Sequence, residues 1–142
     1  MFKIVVETKL FPTEDKEKVS HSLTNILEGE IKSKQYGQDI YLFVESSKPA
    51  DLQKLYDMLR QYRILDVARK QMRKGVVGNA TIFYLNKQVA YVKKINFSEE
   101  EGESPLGPIR VEIEHDNIEQ LIDWLAPYTK NGEEVKLVRS FP

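Results

Sequence analysis

The chain has 142 residues, with 21 Lys and Arg against 22 Asp and Glu, a formal net charge of -1 and no cysteine. That length suits one compact domain, and an apolar content of 41% fills a core without metal or disulfide support. The absence of cysteine excludes a disulfide framework, a thiolate metal site and a cysteine nucleophile, and fits a reducing cytoplasm. No apolar run approaches the roughly 18 residues a membrane span requires, and the first residues lack the basic lead-in and cleavage pattern of a signal peptide, so a soluble cytoplasmic protein is expected.

Residues 2–9 alternate as a strand does. Thr13, followed by Glu14 and Asp15, predicts a helix start with Thr13 as N-cap and acids in the first turn. Val19, Leu23, Ile26 and Leu27 keep helical spacing up to a stop at Gly29. Residues 30–35 and 39–45 flank Tyr36-Gly37-Gln38 and predict a hairpin. Ser46 and Ser47 offer an N-cap for a helix with Pro49 in its first turn.

From Pro49 to Lys74 the pattern is helical, but Leu52, Leu55, Met58 and Leu59 share one side while Ile64, Leu65, Ala68 and Met72 share nearly the opposite one. A straight helix would expose one of these sets, so a break is expected near 60–62, with both pieces facing a common sheet. In the second piece Arg63, Lys70 and Lys74 point away from the apolar stripe, flanked by Arg69 and Arg73. Gly75 ends it. Strands are predicted at 80–86 and 91–97, joined as a hairpin through 87–90, and another at 109–114 after an acidic loop (99–103) and Ser104-Pro105-Leu106-Gly107-Pro108. Asp116 or Asn117 caps a last helix that stops at Pro127. The tail 131–142 is expected to be loosely held, with Val135–Val138 able to add a strand.

Charge is unevenly distributed. Arg60, Arg63, Arg69, Lys70, Arg73, Lys74, Lys87, Lys93 and Lys94 face only Asp66 between positions 60 and 94. Such a stretch binds phosphates, because arginine offers a planar fork of donors and lysine a mobile charge; the alternative is a solvated helix face. Gly75-Val76-Val77-Gly78-Asn79 reads either as an anion-binding nest of N–H groups or as an ordinary turn. Phe83, Tyr84 and Tyr91, beside Lys87, Lys93 and Lys94, resemble a surface on which unpaired bases stack, with at least one of Phe83 and Tyr84 assigned to the core. Asp66 is expected to pair with Arg63 or Arg69 rather than act as a base. His21 and His115 have no metal-ligand spacing, and no serine has a nucleophile-elbow context. Trp124 with Leu121, Ile122 and Leu125 covers more than a narrow stripe, a pattern for core packing with some subunit contact.

Pro12-Thr13-Glu14-Asp15, Arg63-Ile64-Leu65-Asp66 with Ala68-Arg69, Gly75-x-x-Gly78-Asn79, Lys87-Gln88-x-Ala90, Ser104-Pro105-Leu106-Gly107 and Asp123-Trp124-Leu125-Ala126-Pro127, in this order over nearly the whole chain, resemble the archaeal uncharacterised protein family 0201. Val89, where a small residue is expected, and a short tail after Lys130 depart from its pattern. The resemblance implies a fold like ribosomal protein L-five, α+β in two layers with a mixed or antiparallel sheet and helices on one face. It also implies a predicted RNA-binding or exosome-associated protein, with no catalytic residue to carry over.

The sequence therefore leads to a single α+β domain that binds RNA without catalysis, cofactor or metal. Arg63, Arg69, Lys70, Arg73 and Lys74 would meet phosphates, Gly75, Gly78 and Asn79 would position the strand, and Lys87, Tyr91 and Lys93 would be secondary contacts. A homodimer and an RNA-processing complex are possible partners in this reading, and a membrane is not. The alternative is an adaptor whose basic helix docks on an acidic protein or on the acidic loop of a second copy.

Overall fold

Strand β1 (Phe2–Leu10) turns Phe2, Ile4, Val6 and Thr8 inward and leaves Lys3, Val5, Glu7 and Lys9 on the other face, as period-two alternation requires. The structure, a computed structural model, describes residues 1–100 and 105–142. Strand β1 sits between β3 (Asp39–Ser46) and β7 (Pro108–His115); beyond these lie β2 (Lys32–Tyr36) next to β3 and β5 (Ala80–Asn86) next to β7. Every pairing is antiparallel, and the short strands β4 (Val76–Val77) and β6 (Phe97–Ser98) share the outer edge of β5. The register sets Val44, Val6, Val111 and Phe83 side by side across the inner face, with Leu42, Thr8, Ile109 and Leu85 in the next row. The buried Thr8 hydroxyl is satisfied by donating to Pro108 O at 2.9 Å.

Among the described residues five helices cover this inner face, as the α+β reading expects: α1 (Lys16–Thr24), α2 (Gln53–Gln61), α3 (Leu65–Lys74), α4 (Lys87–Tyr91) and α5 (Ile118–Leu125), with a 3-10 turn (Pro49–Leu52) leading into α2. Helices α1, α2, α3 and α5 each present an apolar stripe, with Val19 and Leu23, Leu55 and Leu59, Ala68 and Met72, and Leu121 and Leu125 in turn. Burying one such side chain contributes about 1.5–3 kcal/mol. Asn117 caps α5 by accepting from Gln120 N at 3.1 Å.

The break between α2 and α3 falls where the opposed apolar faces demand it. Ile64 N donates to Leu59 O at 3.1 Å and Arg63 N to Arg60 O at 3.2 Å, the paired bonds of a helix end in which the intervening residue is left-handed. That residue is Arg63, at φ +54°. Gly75 closes α3 for another reason: a Cβ there would lie 1.8 Å from Ile82 O, so only glycine lets the helix end against β5.

Several expectations are corrected. Helix α1 starts at Lys16, with Asp15 rather than Thr13 as N-cap, accepting from Glu17 N at 2.9 Å, because Glu14 is occupied with Phe11 N and Lys87. It ends at Thr24 with Asn25 as its C-cap, ahead of Gly29. The strand expected at 91–97 is not formed before Phe97: Asn86 Oδ1 accepts from Val89 N at 2.9 Å and starts α4, and only Phe97–Ser98 returns to the sheet. Val135–Val138 adds no strand either; the tail forms a small hairpin, β8 (Thr129–Lys130) with β9 (Glu133–Glu134), and then seats Phe141 edge-on against Phe2 and Trp124, each at 5.3 Å. Glu101, Glu103 and Ser104 of the expected acidic loop lie outside the described residues. Among the described residues no helix is long and apolar enough to cross a membrane.

Candidate nucleic-acid interface

Helix α3 buries Leu65, Ala68 and Met72, and this fixes the direction of everything else on it. Lys70, Arg73 and Lys74 reach solvent, and Arg63 joins them from the break. A second helix end lies alongside. Lys94 N donates to Val89 O at 3.1 Å and Lys93 N to Ala90 O at 3.0 Å, so α4 closes as α2 does, with Lys93 left-handed at φ +61°. The Tyr62 hydroxyl donates to Lys93 O at 2.9 Å and ties the two ends together. The left-handed position after a helix is usually glycine. Here arginine and lysine hold the two neighbouring ones, and each side chain is exposed.

Other predicted residues are drawn away. Lys87 is buried, its side chain 4% exposed, donating to Lys9 O at 2.8 Å, Leu106 O at 2.7 Å and Glu14 at 3.1 Å. Burial pushes its ammonium pKa down, against the opposing pull of Glu14. Arg69 pairs with Asp123 at 2.9 Å and donates to Ala126 O at 3.3 Å, tying α3 to α5. Tyr91 turns toward α1 and meets the His21 ring edge-on at 5.6 Å, in a hollow lined by Asp15 and Glu17. The Gly75 N–H is held by Gln71 O and Met72 O, while Gly78, at φ +60°, and Asn79 make the tight turn between β4 and β5. Asp66 binds Thr129 through N at 2.9 Å and Oγ1 at 2.7 Å, not an arginine, and these bonds hold its carboxyl below the usual range.

The cations that remain differ from those elsewhere. On the open face of the sheet Lys3 and Lys32 pair with Glu45, Lys9 with Asp39, Lys34 with Glu7 and Arg110 with Glu112, at 2.7–3.7 Å. Lys74 reaches Glu99 at 3.8 Å, so the acidic loop meets the basic helix within one chain. Arg63, Lys70, Arg73, Lys93 and Lys94 have no carboxylate within ion-pairing distance among the described residues. Several cations on and beside α3 thus keep a charge that no ion pair offsets among the described residues, unlike those of the sheet face.

This arrangement sits in a chain with clear relatives. It is 45% identical to a UPF0201 protein of Sulfurisphaera tokodaii over 93% of this chain and 92% of that one, and 44% identical to one of Aeropyrum pernix over 94% and 90%. The chain belongs to the UPF0201 family. A family model described as RNA binding matches residues 3–115, which take in α3 and the loop after α4 but leave out α5 and the tail. The crystal structure of a UPF0201 protein from Methanococcus jannaschii superposes with a TM-score of 0.80 at 34% identity, covering 94% of this chain and 98% of that one. A Sulfolobus solfataricus protein at 14% identity and a TM-score of 0.61 over 87% and 96% shares the fold alone.

Two groups of residues in this UPF0201 chain take places not assigned to them from the sequence. Arg60 stacks on Tyr56, 3.3 Å from the ring centroid, and donates to Trp124 O at 3.2 Å and Leu125 O at 3.1 Å; it closes α5 where Pro127 forbids another turn. Tyr41 and Phe43 alternate with buried Leu42 and Val44 and therefore stand on the open face, a period-two signal present in the sequence.

Proposed function

We propose that the protein binds RNA through phosphate contacts from Arg63, Lys70, Arg73, Lys74, Lys93 and Lys94, acting by binding rather than by catalysis. The observation that carries this reading is the contrast in pairing: the cations on the sheet face are held by carboxylates, whereas Arg63, Lys70, Arg73, Lys93 and Lys94, on and beside α3, have no such partner among the described residues. A polyanion gains from such a cluster because each phosphate neutralised releases a counterion, and except at Lys74, whose contact with Glu99 is exposed, the gain is not first spent on breaking an internal ion pair. Placing Arg63 and Lys93 in left-handed backbone, a strain of order 1 kcal/mol each, supports the reading, because strained side chains collect at binding sites. The RNA-binding description of the matching family model is a further support.

The test is fluorescence anisotropy with a short labelled single-stranded RNA and a duplex, at low and high salt, comparing the natural chain with Lys70→Glu/Arg73→Glu. Saturable binding that weakens steeply with salt is expected, with a slope of about 0.7 per phosphate neutralised on a single strand. The double variant is expected to lose affinity about tenfold or more while its melting temperature stays nearly constant, since both side chains are solvent-exposed. Retained affinity in the folded variant removes the assignment, and an absence of RNA binding by the natural chain turns the basic surface toward an acidic protein partner.

A further inference from the structure

On the opposite side of the sheet is a site whose chemistry differs from that of α3. Phe11, Tyr41, Tyr84 and Arg110 enclose a cavity of about 260 Å³, with Lys9 and Pro108 beside them. The rings arrive from separate segments: Phe11 where β1 ends, Tyr41 on β3 and Tyr84 on β5. The core does not require them there, because Leu42, Phe83 and Leu85 already fill the inner positions of the same strands. An antiparallel sheet with one face free ordinarily puts polar side chains on it, so three half-exposed rings converging on one hollow call for an explanation.

Charge does not provide it. Lys9 is held by Asp39 at 3.2 Å and Arg110 by Glu112 at 2.7 Å, so the hollow has little net pull on a polyanion. It offers flat apolar faces, the Lys9 ammonium 4.7 Å from the Phe11 ring centroid, and the Arg110 guanidinium, which has more donors than Glu112 takes up. A planar heterocycle with hydrogen-bonding edges and no charge of its own matches that set, and an unpaired nucleobase is such a group. The hollow also adjoins the phosphate surface. Lys74 reaches Glu99, and the next residue, Glu100, lines the cavity, so the residues that follow β6 link the end of α3 to the hollow.

We propose that this cavity takes one unpaired base of an RNA strand whose phosphates lie along α3, the backbone passing round the β5–β6 edge. The inference rests on the phosphate reading given above and adds to it a preference for unpaired RNA: a base stacked within a duplex does not enter the hollow, while the α3 surface meets either form.

The experiment uses the full chain with a labelled single-stranded RNA and a strand of equal length carrying abasic ribose, in a salt series, for the natural protein, Tyr84→Leu and Tyr84→Phe, each checked by thermal melting. Tyr84→Leu is expected to weaken binding of the base-bearing strand about tenfold, with the salt slope unchanged and abasic-strand binding intact; Tyr84→Phe, which keeps a ring, is expected to stay close to the natural protein. Photocrosslinking of a 4-thiouridine strand, read by mass spectrometry, is expected to mark peptides bearing Tyr84 or Phe11. If the natural chain binds both strands equally and Tyr84→Leu changes nothing, the base cavity falls while the phosphate surface stands. A loss on the abasic strand as large as on the normal one overturns the cavity too, and binding of neither strand overturns both readings.

Discussion

Arg63 stands in the left-handed position that follows α2, where a side chain costs about 1–2 kcal/mol relative to glycine. Its side chain makes no ion pair among the described residues, and the backbone bond from its N to Arg60 O would be kept by glycine. If the arginine is there for phosphate, removing it should separate stability from binding. Arg63→Gly is expected to raise stability by about 1 kcal/mol, a few degrees in melting temperature, while lowering RNA affinity several-fold; thermal melting and anisotropy on the same preparation read both. A more stable variant with unchanged affinity would remove Arg63 from the interface. Arg60 and Arg69 illustrate the limit of reading charge residue by residue. In sequence they are indistinguishable from Arg63 and Arg73, yet both turn to the end of α5, because its last carbonyls, cut off by Pro127, need donors.

At the scale of elements, α4 is where expectation and structure part. Lys87 leaves the surface to meet Glu14, whose side chain is 8% exposed, and in doing so joins the end of β1, the start of α1 and the loop before β7. Removing one partner of a buried pair strands the other charge, so Lys87→Met is expected to destabilise the protein by about 3–5 kcal/mol in denaturant unfolding, with RNA affinity of the folded fraction unchanged; selective loss of affinity at unchanged stability would return Lys87 to the interface. The long strands were legible because each alternates over a run that tertiary contacts do not contradict, and the α2–α3 break was legible because two apolar faces point opposite ways. Helix α4 was not, since Asn86 serves equally as the last residue of a strand and as an N-cap, and the choice depends on Glu14, distant in sequence. The basic helix was legible as a charge pattern. Which of its cations stay free was not, since that depends on where Asp123 and Glu99 come to lie.

For the whole molecule, net charge and charge distribution give opposite forecasts. A chain of net charge -1 and pI near 6.2 has no average attraction for a polyanion at pH 7. Among the described residues, however, the cations of the sheet face are paired one by one while Lys70, Arg73, Lys93 and Lys94 are not, and over distances within a Debye length of about 8–10 Å a local cluster outweighs the total. The protein is therefore expected to be retained on immobilised heparin at pH 7 and released by moderate salt. Two double variants that remove the same charge distinguish cluster from total. Lys70→Gln/Arg73→Gln is expected to elute at distinctly lower salt, whereas Lys3→Gln/Lys32→Gln, which takes two partners from Glu45 on the sheet face, is expected to elute near the natural protein. Equal shifts in the two variants would mean that retention follows total charge alone, and the contrast in pairing would then carry no weight as an argument for a binding surface.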